Sequence, residues 1–171
     1  MMKVQEFLKE AVIRHLQETS VFLKKLHEYE NVSLKEMLNQ DKIEPDSLLF
    51  KIPAEGARPL GEVILHMIRS LEFYTVGIVE NKWEPLQYNL LEFSTIPEIL
   101  VLYETVATKV TEYIDRLTSD MLKAEVIKFN RPATKAELIQ EMLEHSVHHR
   151  GQLSVYYRFL EIEPPSIAYI I

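Results

Sequence analysis

Residues 134–160 read TKAELIQEMLEHSVHHRGQLSVYYRFL, a stretch without proline in which one set of positions recurs at helical spacing. Leu138, Met142, His145, His149, Gln152, Tyr156 and Phe159 are separated by 4, 3, 4, 3, 4 and 3 residues, the spacing of the seam that a bundle helix turns inward. Thr134 and Glu137 stand in capping-box form at the start, where a hydroxyl and a carboxylate satisfy backbone N–H groups that have no helical partner. Pro164 and Pro165 bar further helix at the other end, because proline has no N–H for the helical ladder. The segment therefore reads as a helix from Thr134 to about Leu160 with two imidazoles on its inward face.

The rest of the chain supplies partners for that helix. From Lys3 to about Tyr29, apolar residues including Phe7, Leu8, Val12, Leu16, Leu23 and Leu26 recur at three- and four-residue spacings, the pattern of an amphipathic helix. Between Glu30 and Arg58 the pattern breaks at Asn31, Pro45, Pro53 and Gly56; within this connection Ser33-Leu34-Lys35-Glu36 has capping-box form and predicts a short helix to about Asn39. A second long helix is expected from Pro59, a residue suited to a first helical turn, to about Asn81. A third opens at Thr95-Ile96-Pro97-Glu98 and carries Ile99, Leu102, Val106, Val110, Tyr113 and Leu117 along one face. With four glycines in 171 residues and almost no strand-like alternation, the expectation is an all-α fold. Residues 1–171 are read as a single domain, a four-helix bundle with one long crossover connection after the first helix. The apolar end SIAYII is expected to pack on the body or on a partner subunit.

Composition narrows the functional classes. The chain is 47% hydrophobic and 26% charged, ordinary for a soluble globular protein. It contains no cysteine, which excludes disulfides, thiolate ligands and a cysteine nucleophile, so any thiol chemistry needs a thiol from outside. The formal net charge is −7 and the basic residues are scattered, which argues against nucleic acid as a partner. No apolar run approaches the roughly 20 residues that span a bilayer, and the first fifteen residues alternate charge with apolar side chains, unlike a signal peptide. A cytoplasmic location without membrane attachment is expected.

Three of the six histidines fall within five residues, at 145, 148 and 149. At roughly 100° per residue, His145 and His149 lie about 40° apart around the helix and share the inward seam, while His148 lies at its edge. On the second helix His66 belongs to a row with Val63, Ser70 and Phe73, a placement open to the bundle interior opposite the pair. Imidazoles in an apolar seam need partners, since an unpaired buried polar group costs roughly 1–3 kcal/mol. A metal ion supplies one partner to each, and three nitrogens leave coordination positions for water or substrate. The alternative is hydrogen-bonded core histidines; His15 and His27 lack companions at ligand spacing and read as ordinary helix residues. Neutral imidazole suits zinc, nickel, iron and copper alike.

The run His145 to Gln152, HSVHHRGQ, followed by LSVYYRFL and EIEPPSI, resembles the fourth-helix signature of the DinB/YfiT superfamily, whose usual form is H-x-x-x-H-R-G-Q. The stretch LGEVILH, ending at His66, looks like that family's second-helix motif. The resemblance implies a four-helix bundle, often dimeric, that holds a divalent metal, zinc or nickel in many members, on three histidines. Carried to this chain, it makes His66, His145 and His149 the ligands. It also implies that Gly151 allows close helix packing and that Arg150 and Gln152 orient ligands or bound water. A small-molecule substrate and a homodimer are the partners it implies. Despite its name, the family does not imply DNA binding.

Two functions follow from that resemblance. One is a metal-dependent enzyme, either a hydrolase or a transferase acting with a low-molecular-weight thiol, with Glu62, Glu141 and Gln152 as candidate acid–base or orienting groups. The other is a non-catalytic metal- or ligand-binding bundle with a stress-related role. A fold shared by unlike activities does not by itself select the substrate.

Overall fold

The computed structural model describes residues 4–38, 47–128 and 130–166, with the side chains of 33–38 outside the description. Helix α1 spans Val4–Leu38 and a 3-10 turn covers Leu48–Phe50. Helix α2 is Leu60–Glu80, α3 is Ile96–Asp115 and α4 is Ser119–Lys123. Strands β1 (Glu125–Lys128) and β2 (Arg131–Thr134) precede α5, Lys135–Phe159. The apolar end beyond residue 166 lies outside the described residues, as do residues 39–46 of the crossover after α1.

The predicted boundaries of the long helices hold where a cap or a proline marks them. Thr95 with Glu98, and Thr134 with Glu137, form complete capping boxes at α3 and α5. Pro59 caps α2 at its start, and Asn81 ends it in the left-handed conformation that asparagine tolerates. The separate short helix expected from Ser33 does not exist, because α1 runs on to Leu38. Nothing between Val4 and Leu38 is Gly or Pro, and the low helix propensities of Asn31, Val32 and Ser33 cost only about 0.7 kcal/mol each at most, too little to break a packed helix.

Helix α2 packs against α3 and α5, and α1 packs against the same two helices. The ring order is therefore α1, α3, α2, α5, with α1 diagonal to α2 and α3 diagonal to α5. Diagonal neighbours cannot be joined by a tight turn, which explains the long crossover after α1. It also requires a second crossover, between α3 and α5, which the sequence reading did not foresee. That second crossover is α4 and an antiparallel hairpin with Glu125 paired to Thr134 and Lys128 to Arg131. Asn130 turns the hairpin at φ 59°, and Pro132 sits on a two-stranded edge where its missing N–H is tolerated. Lys128, 6% exposed, seats the hairpin on the bundle, its Nζ 3.5 Å from the centre of the Tyr74 ring and 3.6 Å from Glu141.

Helix α5 is inserted between two neighbours and buries two faces. Leu138, Met142, His149 and Tyr156 lie on the predicted seam; Ile139, Ser146, Arg150, Leu153 and Tyr157 form a second buried row. Phe159, read as the last seam residue, is instead 62% exposed. A 3.5-residue pattern drifts by about 20° per heptad on a straight helix, so three heptads carry the end of the row out of the interface. On α2, Gly77 lies so close to Trp83 that a Cβ there would overlap the indole. Among the described residues no helix is long and apolar enough to cross a membrane.

Candidate metal centre

His145 and His149 sit one turn apart on α5, and His66 faces them from the adjacent α2. The ring centroids are 5.1 Å apart for His66 and His145, 4.8 Å for His66 and His149, and 4.3 Å for His145 and His149. One nitrogen from each of the three lies within 4.8 Å of the others. His149 is buried and the other two are half-buried. The i, i+4 pair was legible on the helix; its meeting with His66 required α2 and α5 to be adjacent in the bundle.

Hydrogen bonds orient the rings. The Nδ1 of His149 donates to the Gln152 Oε1 at 2.9 Å, which leaves its Nε2 as an acceptor turned to the other rings. That Nε2 is 3.1 Å from the Nε2 of His145. Two nitrogens so spaced, each at the ordinary Zn–N distance of about 2.0–2.1 Å, subtend about 100° at a shared ion, between the octahedral and tetrahedral angles. The donor set thus fits a divalent metal. Arg69 donates to the Nδ1 of His66 at 3.2 Å and to the Tyr88 carbonyl at 3.3 Å. Because a guanidinium cannot accept, this bond places the His66 proton on Nε2; coordination through Nε2 requires the proton to move and Arg69 to give way.

Burial, followed by the neighbouring His149, pushes the pKa of both His66 and His145 down to about 4. Burial also lowers that of His149, partly countered by the bond to Gln152. All three imidazoles are therefore neutral at physiological pH, the form that binds metal.

The rings open on a cavity of about 640 Å³, within the usual size of small-molecule sites. Besides the three histidines, Arg58, Val63, His148, Gln152 and Tyr156 line it, with Gly56 and Ala57 at the loop edge. No carboxylate is among the described lining residues. Glu62 is half-buried and does not line the cavity. Glu141, one turn before His145, is paired with Lys128 and Arg131 of the hairpin and does not line it either. Gln152 does enter the site, through His149. His148 is exposed at the cavity, its ring centroid 5.0 Å from that of His149.

Two motif residues are placed otherwise than expected. Arg150 does not orient ligands, because its side chain points to α1, where it meets Glu18 at 2.8 Å, the His15 Nδ1 at 2.9 Å and the Thr19 Oγ1 at 3.2 Å. Position 150 is about 100° around the helix from 149, enough to change the facing helix. Gly151 is exposed, with nothing from neighbouring elements within 4 Å of where a Cβ would stand, so no close helix packing depends on it. Arg58 and Tyr156 were not singled out as site residues in the sequence. A lone arginine in the loop before the His66 helix was the available signal for the first, and the inward seam for the second.

Known proteins agree with this architecture. A profile of the DinB superfamily matches residues 33–153. The uncharacterized protein YjoA of Bacillus subtilis is 31% identical over 121 residues, which cover 69% of this chain and 77% of YjoA. The uncharacterized protein YizA of the same organism is 25% identical over 126 residues, 71% of this chain and 77% of YizA. Among solved structures, the DinB-like YjoA superposes with a TM-score of 0.69 at 24% identity, covering 93% of this chain and 95% of that one. A DinB-like protein from Bacillus cereus superposes with a TM-score of 0.62 at 23% identity, covering 88% and 90%. The all-helical bundle, its histidine cluster and the match over most of its length place this chain in the DinB superfamily.

Proposed function

We propose that this protein is a metal-dependent enzyme in which His66, His145 and His149 hold a divalent ion, zinc or nickel in the first instance, and that its substrate is a small-molecule thiol. The observation that carries this reading is the convergence of three neutral imidazoles on an open cavity whose described walls hold no carboxylate. Hydrolysis through a bound water is ordinarily assisted by a positioned general base, commonly glutamate, and neither Glu62 nor Glu141 lines the cavity. A bound divalent ion would deprotonate a coordinated thiol outright and present its sulfur for S-transfer or isomerisation.

The chain's own residues have limited tasks in this scheme. Gln152 holds the His149 tautomer, Val63 gives the cavity an apolar wall, and exposed His148 takes the departing thiol proton to solvent. The chain has no cysteine, so no internal thiol competes for the ion.

Elemental analysis of protein refolded with zinc or nickel tests the ligand set. One ion per chain is expected for the native protein and none for the His145→Ala, His149→Ala double variant; equal metal content in the two sinks the reading. Metal-loaded protein is then screened for thiol transfer and for ester and amide hydrolysis. Transfer alone supports the proposal, hydrolysis alone reverses the choice of chemistry, and inactivity in both with metal still bound favours the non-catalytic bundle.

A further inference from the structure

The cavity beside the histidines has one cationic wall that the ligand set does not use. Arg58 is exposed, lines the cavity, and belongs to the loop leading into α2. Its backbone is held in place. The Tyr156 hydroxyl donates to the Arg58 carbonyl at 3.2 Å, Gly56 makes the preceding turn at φ 75°, and the Leu60 N–H closes the loop on the Lys51 carbonyl at 3.0 Å. Since Tyr156 is one helical turn beyond Gln152, the same face of α5 positions both His149 and this loop.

The guanidinium itself has neither an ion pair nor a hydrogen bond to any described residue. It nonetheless shares one cavity with His66, His145 and His149. A recess with an arginine, four histidines and no described carboxylate is an exception on a chain of formal net charge −7, and low-dielectric walls focus such a local field on an incoming ion. The planar fork of arginine matches a carboxylate with two parallel N–H donors.

We propose that Arg58 is the substrate-docking residue, and that the small molecule bound here carries a carboxylate held by Arg58 while its other end reaches the three histidines. The inference deepens the thiol reading and rests on it only for that other end. The substrate class is then an acidic thiol.

Calorimetric titration tests this with a matched pair of probes, 3-mercaptopropionate and 3-mercaptopropan-1-ol, on zinc-loaded protein. The native protein is expected to bind the acid at least about tenfold more tightly, the scale of one charge-assisted bond. Arg58→Gln should bring the two probes within about twofold at unchanged zinc content, and Arg58→Lys should restore part of the preference. Because Arg58 is exposed and its side chain is unpaired among the described residues, these variants keep the fold. No preference in the native protein, or the same preference in Arg58→Gln, overturns the proposal. Propionate titrated into chelator-treated protein by NMR separates this result from the metal reading. Shift changes at Tyr156 that vanish in Arg58→Gln uphold the anion site even in a protein that takes up no zinc, and their absence from the native protein overturns it.

Discussion

Adjacent residues of α5 belong to two polar clusters with different characters. On the α2 side, His149 joins His66 and His145, and nitrogens of the three rings converge beside an open cavity. On the α1 side, Arg150 is 2% exposed and enclosed by Glu18, Thr19 and His15. The Tyr103 hydroxyl adds a bond to the Leu16 carbonyl in the same region. The α1 cluster uses the terminal nitrogens of Arg150 to join two helices, leaving its buried Nε without a hydrogen-bond partner among the described residues. The α2 cluster opens on a cavity of about 640 Å³. Burial of polar groups is common to both; what separates them is that one is enclosed between two helices and the other opens on a cavity.

The comparison can be broken from either side. The largest effect is expected from the His145→Ala, His149→Ala variant, which should lose metal uptake entirely while urea unfolding of the chelator-treated protein remains cooperative and close to native. A large loss of stability there would mean that the histidines are structural after all. Arg150→Met should do the opposite: it takes the 2.8 Å partner from Glu18, whose contact with the exposed Arg14 is 3.9 Å, and costs up to about 3–5 kcal/mol, read from the urea midpoint. Adding Glu18→Met should recover part of that loss, since the cost lies in a partly buried charge that has lost its nearer partner.

Two smaller effects sharpen the contrast. Gln152→Ala removes the acceptor that orients His149 and should weaken zinc affinity about 10–100-fold in a competition with a chromophoric chelator, with little change in unfolding. The effect of pH follows from the lowered imidazole pKa values. His66 and His145 titrate near 4 in the folded protein and near 6.5 when unfolded, so the unfolded chain binds more protons between these limits. Chelator-treated protein should therefore have the full contribution above pH 6.5 and lose it progressively as pH falls toward 4. The rings are half-exposed, so the slope is modest. A native protein and a His145→Ala, His149→Ala variant with parallel stability profiles over that range would contradict the assignment.

Much of the helical layout was legible because its signals are local. Thr95 with Glu98, Thr134 with Glu137, Pro59 and Pro164 mark helix ends through bonds made or forbidden within four residues. The pairing of His145 with His149 is equally local, a consequence of 3.6 residues per turn. The signals failed where local preference was weak or two neighbours competed for one helix. Ser33 offered a cap inside α1 but not enough free energy to interrupt it. The short β1–β2 hairpin was hidden in four-residue strands whose alternation is too brief to distinguish from loop, although Asn130, a residue type that tolerates the left-handed turn conformation, was a signal.

By itself, the sequence determined the spans of α2, α3 and α5, the inward pair of imidazoles and the lack of any internal thiol. Each depends on chemistry between residues close in the chain or on composition alone. Only the tertiary structure decided that His66 meets that pair, that Arg150 serves the α1 interface, and that Arg58 stands over the cavity with no described carboxylate beside it. Those outcomes depend on the ring order α1, α3, α2, α5, which is set by burying all the apolar faces at once and joins residues as far apart as His66 and His149. Periodicity says which side of a helix is inward; only packing says what it meets there.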